Sequence, residues 1–492
     1  MRVRRRRIAV LCLLAAWSGV AWREAVKPLP PGLHVASAIC EQSASEVAFL
    51  ADITAADAFG RAAVSQGIFD AVLQVVRGAQ RFVVLDYSGF GADAGEDAPQ
   101  RRTAAALTDA LLERRRSQPN LRVLFITDPA NESFGVARSP ELQLLRAAGV
   151  DVVLTELDRL RDSNLAYSSL WRLTLRWWDG PSGPVGVETR RLNFKADGRR
   201  LVIADDGRGG LNAVIGSATP LDSQSGWSNV AARLDGPALQ ALLASELAVA
   251  RFSGWRGRAE AFRAAAGAQP SQPAGCATAA PAALTAADSA SDSTARVQLL
   301  TEGAIRAELL ARLDATQSGD LIAVAAYHLA ERAVIESLLA AARRGVSVRL
   351  ILDPNQAATS GGVSGLPNQT VASELVARSG GAIRLRWYRT HGERFNAALV
   401  MTYGARRAWL TLGSAQLTRR SLGDYNLEAD VAVEVARGSP LAQQALQYFD
   451  TLWANRASLG IEYTADFAVF ANPAQSDYWL GRLLEGAGLA PF

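Results

Sequence analysis

One pattern of elements is written twice, in the same order, along the 492 residues. Residues 67–73 read as a helix and lead into an apolar strand at 81–87; residues 304–313 and 321–327 repeat the pair. A second helix, 103–116, runs into a strand at 121–127 that stops at Asp128-Pro129. Residues 332–344 run into 346–352, which stops at Asp353-Pro354. Each half then offers a further strand (150–155 and 382–388) and a hairpin closing in Gly-Ser-Ala, at Gly216-Ser217-Ala218 and Gly413-Ser414-Ala415. Those two triplets lie 413 − 216 = 197 residues apart. Apolar β-branched runs alternating with amphipathic helices predict a duplicated α/β chain with mainly parallel sheets covered on both faces. A chain this long has room for two lobes, each with its own core. The expected organisation is a leader or anchor at 1–31, a first domain at 45–263, a linker rich in Ala, Ser and Pro at 264–294, and a second domain at 295–475.

At the start of the chain, Arg2 and Arg4 to Arg7 precede an apolar run from Ile8 to Trp22, and Pro28, Pro30 and Pro31 follow. This is the layout of an export signal or of a short uncleaved anchor with its arginines kept inside. It predicts a bacterial-type periplasmic location, free or anchored in the inner membrane. Export would permit Cys40 and Cys276 to pair, and two buried thiols fit the sequence equally. No Cys/His spacing suggests a metal, and no cofactor is expected. The formal charge of +4 sits partly in the first seven residues, and no basic-aromatic strip follows a nucleic-acid backbone, so none is expected as a partner. Residues 164–178 mix four aromatics with Arg172 and Arg176, a composition suited either to core packing or to a bilayer interface. The sequence carries no signal for an oligomeric state.

The stretch Gly413-Ser-Ala-Gln-Leu-Thr-Arg-Arg-Ser-Leu-Gly-Asp-Tyr-Asn-Leu-Glu428, the paired hairpins, Ala326-Tyr327 and Asp353-Pro-Asn355 resemble the phospholipase D superfamily, including cardiolipin synthases, across about residues 60–470. The resemblance implies two α/β lobes with mainly parallel mixed sheets packed about a pseudo-two-fold axis, the two hairpins facing each other. It also implies His-x-Lys followed by Asp and then Gly-Ser-x-Asn, once per half. One histidine attacks phosphorus, the other protonates the leaving alcohol, and lysines with asparagines hold the phosphoryl oxygens.

Here the first motif falls on Gly198-Arg199-Arg200, with Asp205 in the aspartate place and Thr219 in the asparagine place. The second falls on Asn396-Ala397-Ala398, with Tyr403 and Gln416. Only Asp205 keeps the family residue. Neither glycine nor asparagine can form a phosphoenzyme or transfer a proton near neutral pH, and the only lysines are Lys27 and Lys195. Arg199, Arg200, Ser217, Thr219, Ser414, Gln416 and Glu428 remain as candidates for binding a phosphate, with the two serines read as turn caps rather than nucleophiles. His391 and His328 are the candidates for a displaced catalytic histidine. The leading expectation is a membrane-associated phospholipase D-like pseudoenzyme that binds phosphate or phospholipid head groups. The alternatives are a cardiolipin-synthase-like phosphodiesterase or transphosphatidylase using a displaced histidine, and a protein-interaction scaffold.

Overall fold

The computed structural model describes residues 2–56, 62–92, 101–178, 183–267, 276–277, 293–356, 364–455 and 460–490. Six central strands of the first half lie in the order Asn229–Asp235, Leu211–Gly216, Arg200–Asp205, Phe82–Tyr87, Arg122–Thr127, Asp151–Leu154. The second half repeats that order with Ala429–Ala436, Arg407–Gly413, Ala398–Tyr403, Leu321–Ala326, Ser347–Leu352 and Ile383–Tyr388. The chain is therefore α/β and duplicated.

Parallel pairing is confined to the last three strands of each series, and every other pair is antiparallel. This corrects the expectation of mainly parallel sheets. The turns at 206–210 and 404–406 are too short for a crossover, so the strands they join can only form hairpins. An unbroken apolar run reports burial on both faces, not strand direction. Phe82–Tyr87 and Leu211–Gly216 are buried at every residue because helices cover one face and the other half covers the opposite one. Phe82, Val84, Leu201 and Ile203 share one core with Leu399, Met401, Leu410 and Leu412, while Val83, Leu85 and Val202 pack outward against the helix Ile68–Gly78.

The first strand of the chain, Ile39–Ser43, belongs to the second half's sheet, between Thr294–Thr301 and the short edge strand Cys276–Ala277. Cys40 and Cys276 are direct strand partners and form a disulfide. The rest of the expected linker lies almost wholly outside the described residues. An N-terminal helix, Arg2–Val26, leaves Ile8, Leu11, Leu13 and Leu14 exposed, and its Arg4–Val26 part is long and apolar enough to cross a membrane. Residues 164–178 divide their aromatics: Trp171, on the helix Leu165–Leu173, is buried, whereas Trp177 and Trp178 stand in solvent.

Candidate functional site

Both motif segments lie where the halves meet, each leading into a central strand and each held by the opposite half. Gly198 N donates to Leu427 O at 2.8 Å and Leu427 N to Ala196 O at 3.1 Å. In the related place, Asn396 N donates to Ser228 O at 2.8 Å and Ser228 N to Arg394 O at 3.0 Å. From its own half, each segment is fixed by the aspartate that ends a parallel strand: Asp128 Oδ2 accepts from Asp197 N and Asp353 Oδ2 from Phe395 N, both at 2.8 Å. Burial pushes both carboxyls up to about 6 despite these bonds. The two hairpins therefore face each other across a pseudo-two-fold axis.

At the centre, Asn396 Nδ2 donates to Ser217 O at 2.7 Å and to Asn229 Oδ1 at 2.9 Å, and Ser217 Oγ is 3.1 Å from the same Oδ1. Across the axis, Ser414 Oγ donates to Glu428 Oε2 at 2.5 Å. Asn229 and Glu428 are thus counterparts, 428 − 229 = 199 residues apart, and each reaches toward the motif segment of the other half. The amide of Asn396 is thus met by Asn229 and not by Glu428. Glu428 faces Gly198, where an ideal Cβ would lie 2.6 Å from both of its carboxylate oxygens. The acid fills the volume in which a side chain at 198 would begin. Burial pushes Glu428 up to about 8, against the hydrogen bond from Ser414 and the charge of Arg200, so at neutral pH it is mostly protonated.

Of the two adjacent arginines, only Arg200 is partly exposed, with Nε 3.2 Å from Ser88 Oγ and Nη1 2.8 Å from Ser217 O. Arg199 points the other way and is fully buried, with its guanidinium 2.6 Å from both Glu246 and Glu302. That corrects its expected place among the phosphate ligands. Thr219 and Gln416 are likewise committed to backbone. Thr219 Oγ1 donates to Gly89 O at 2.7 Å, and Gln416 Oε1 accepts from the amides of Tyr327 and His328. Asp205 accepts from the amides of Gln80, Arg81 and Phe82 and so anchors a turn. Its counterpart Tyr403 donates to Ala442 O at 2.6 Å in the core, and Ala398 is buried opposite Ala326.

Neither candidate histidine joins the central set of hydrogen bonds. His328 is buried against the Tyr327 ring, and burial, with Arg394 nearby, presses it down to about 3, so it is neutral. His391 lies on an exposed turn, with its backbone N and its Nδ1 both directed at Glu393. The lysines lie outside the central set too: Lys195 pairs with Asp162 and Lys27 with Glu24. Sequence reasoning missed Arg394, whose guanidinium lies 4.9 Å over the Trp227 ring and 5.6 Å over that of Tyr327, two residues before Asn396.

The family model described as the cardiolipin synthase, PLD-like domain matches residues 309–453. The second half therefore carries a phospholipase D-like domain. Among solved structures, the chain is similar to the phosphatidylserine synthase of Haemophilus influenzae Rd KW20, at 10% identity over 92% of this chain and 97% of that one, with a TM-score of 0.54. It is also similar to Nuc, a phospholipase D family member of Salmonella typhimurium, at 20% identity over 35% and 97% of the two chains, with a TM-score of 0.27. No curated protein matches it. The likeness to the synthase is one of fold, reaching across both halves. Within that frame Gly198 and Asn396 stand at matching places in the two halves, and Asn396 is bound to the other half through its amide. Two cations stand near these segments: Arg200, partly exposed, and Arg394 on the second motif segment.

Proposed function

We propose that this phospholipase D-like chain is a pseudoenzyme that binds a phosphate-bearing lipid head group at the partly exposed Arg200, between its motif segments, and does not cleave it. The observation that carries the reading is the Glu428 carboxyl seated against Gly198, in the volume that an attacking histidine would need. Arg200 supplies a planar fork suited to phosphoryl oxygens, and a protonated Glu428 beside it does not repel an anion. The match of the second half to a cardiolipin synthase, PLD-like domain supports a phospholipid-related ligand.

The test measures glycerol phosphate binding to the full chain by calorimetry and phosphatidylglycerol turnover on the same preparation. Binding without turnover is expected, with Arg200→Ala weakening binding about tenfold, the equivalent of about 1.4 kcal/mol. Binding should also weaken as pH rises through about 8, when Glu428 becomes charged. Turnover abolished by His328→Ala or His391→Ala would replace this reading with that of an enzyme using a displaced histidine.

A further inference from the structure

Three elements far apart in sequence meet beside the loop 158–164. The N-terminal helix is tied in at its C-terminal end. Glu24 is 2% exposed and pairs with Lys27 and with Arg172 (3.3 Å), and Lys27 Nζ donates to Asp158 O at 2.8 Å. Arg161 Nε donates to Lys27 O at 3.0 Å, and Trp17 Nε1 to Ala166 O at 3.0 Å on the helix Leu165–Leu173. The end of the chain arrives at the same place. Arg420 holds Ser163 Oγ and the Gly488 and Ala490 carbonyls together, and the Gly488 backbone lies directly against Ser163.

Around this junction the apolar side chains face outward. Trp177 and Trp178 are 71% and 78% exposed, with Leu173 beside them in sequence, and the helix Gln475–Gly486 turns out Trp479 and Leu483, which stand four residues apart on one helix face. Soluble surfaces seldom leave such a set uncovered. Two features select lipid as the cover: an apolar helix of membrane-spanning length continues the patch, and its far end carries arginines that complement anionic phosphates. We propose that the N-terminal helix is retained in the mature chain and that, with the Trp177–Trp178 turn and the helix Gln475–Gly486, it forms one face that seats the protein on an anionic bilayer. The burial of Glu24 argues against removal of the helix, because cleavage on its C-terminal side would strip a built ion-pair set from the folded body. The face is separate from Arg200 and holds whether or not that residue binds a head group.

Cys12 is the single free thiol, since Cys40 and Cys276 are joined, so an environment-sensitive fluorophore can be placed on it in the full chain. Further probes go on Trp178→Cys and Leu483→Cys, each in a Cys12→Ser chain, at exposed positions that tolerate change. In vesicles of phosphatidylglycerol and phosphatidylethanolamine, all three probes should shift to the blue and be quenched by spin-labelled lipid, and the intact mass should include residues 1–26. Arg200→Ala should leave these signals unchanged. A mature mass lacking the helix, or probes at 178 and 483 that stay in water while the one on Cys12 is quenched, would overturn the proposal.

Discussion

At Gly198 the backbone passes so close to Glu428 that an added methyl group would meet both carboxylate oxygens at 2.6 Å, which makes the pair a lock between the halves. Gly198→Ala should therefore destabilise the fold by about 1–3 kcal/mol, the usual cost of overpacking. Glu428→Ala in the same chain should recover most of it, as read by denaturant titration. The acid also sets a pH dependence. Its folded value near 8 lies above its ordinary 4.5, so between the two the folded chain holds a proton that the unfolded chain has released. Stability from this group is therefore greatest at low pH and falls as pH rises through about 8. Asp197 and Asp430, pushed up to about 7 by burial, act in the same direction. Melting temperatures should be higher at about pH 6 than above pH 8, and Glu428→Gln should flatten the upper part of that fall.

Individual strands and helices were legible because their apolar periodicity is local. The helix expected at 332–344 is Arg332–Arg343, and the strand expected at 346–352 is Ser347–Leu352. Strand direction was not, since an apolar run is the same read into a parallel or an antiparallel neighbour. The site divides along the same line. Arg199 and Arg200 are adjacent at the start of a strand, so they point to opposite faces and only one can reach Ser217. Nothing local says which; the answer lies in Glu246, on the helix Leu239–Phe252, and in Glu302 at the start of Gly303–Asp314. Asn229 was hidden for a related reason: the 197-residue spacing carried back from Glu428 falls on Ala231, and only the strand pairing aligns Asn229 with the acid. Since Arg199 joins elements of both halves, Arg199→Met should cost about 3–5 kcal/mol by leaving two buried carboxylates without their cation. Glu246→Gln in the same chain should restore part of that loss in urea unfolding.

The whole molecule is closed by its first strand, Ile39–Ser43, which lies in the second half's sheet and is stapled there by Cys40–Cys276. The bridge spans 236 residues, so Cys40→Ser should lower stability by about 2–4 kcal/mol under oxidising conditions, and added reductant should bring the wild type down to the level of the variant. The shared core and the contact of Arg199 with Glu302 also impose an order on assembly. Glu302 follows Arg199 by 103 residues, which at a ribosomal pace of about 5–20 residues per second is a wait of roughly 5–20 seconds. Over that interval the nascent first half carries a guanidinium short of one counter-charge, and its leading strand has no edge to join. The earliest strand to be synthesised is thus among the last to find its place, and the first half must be kept from closing prematurely until the second has followed.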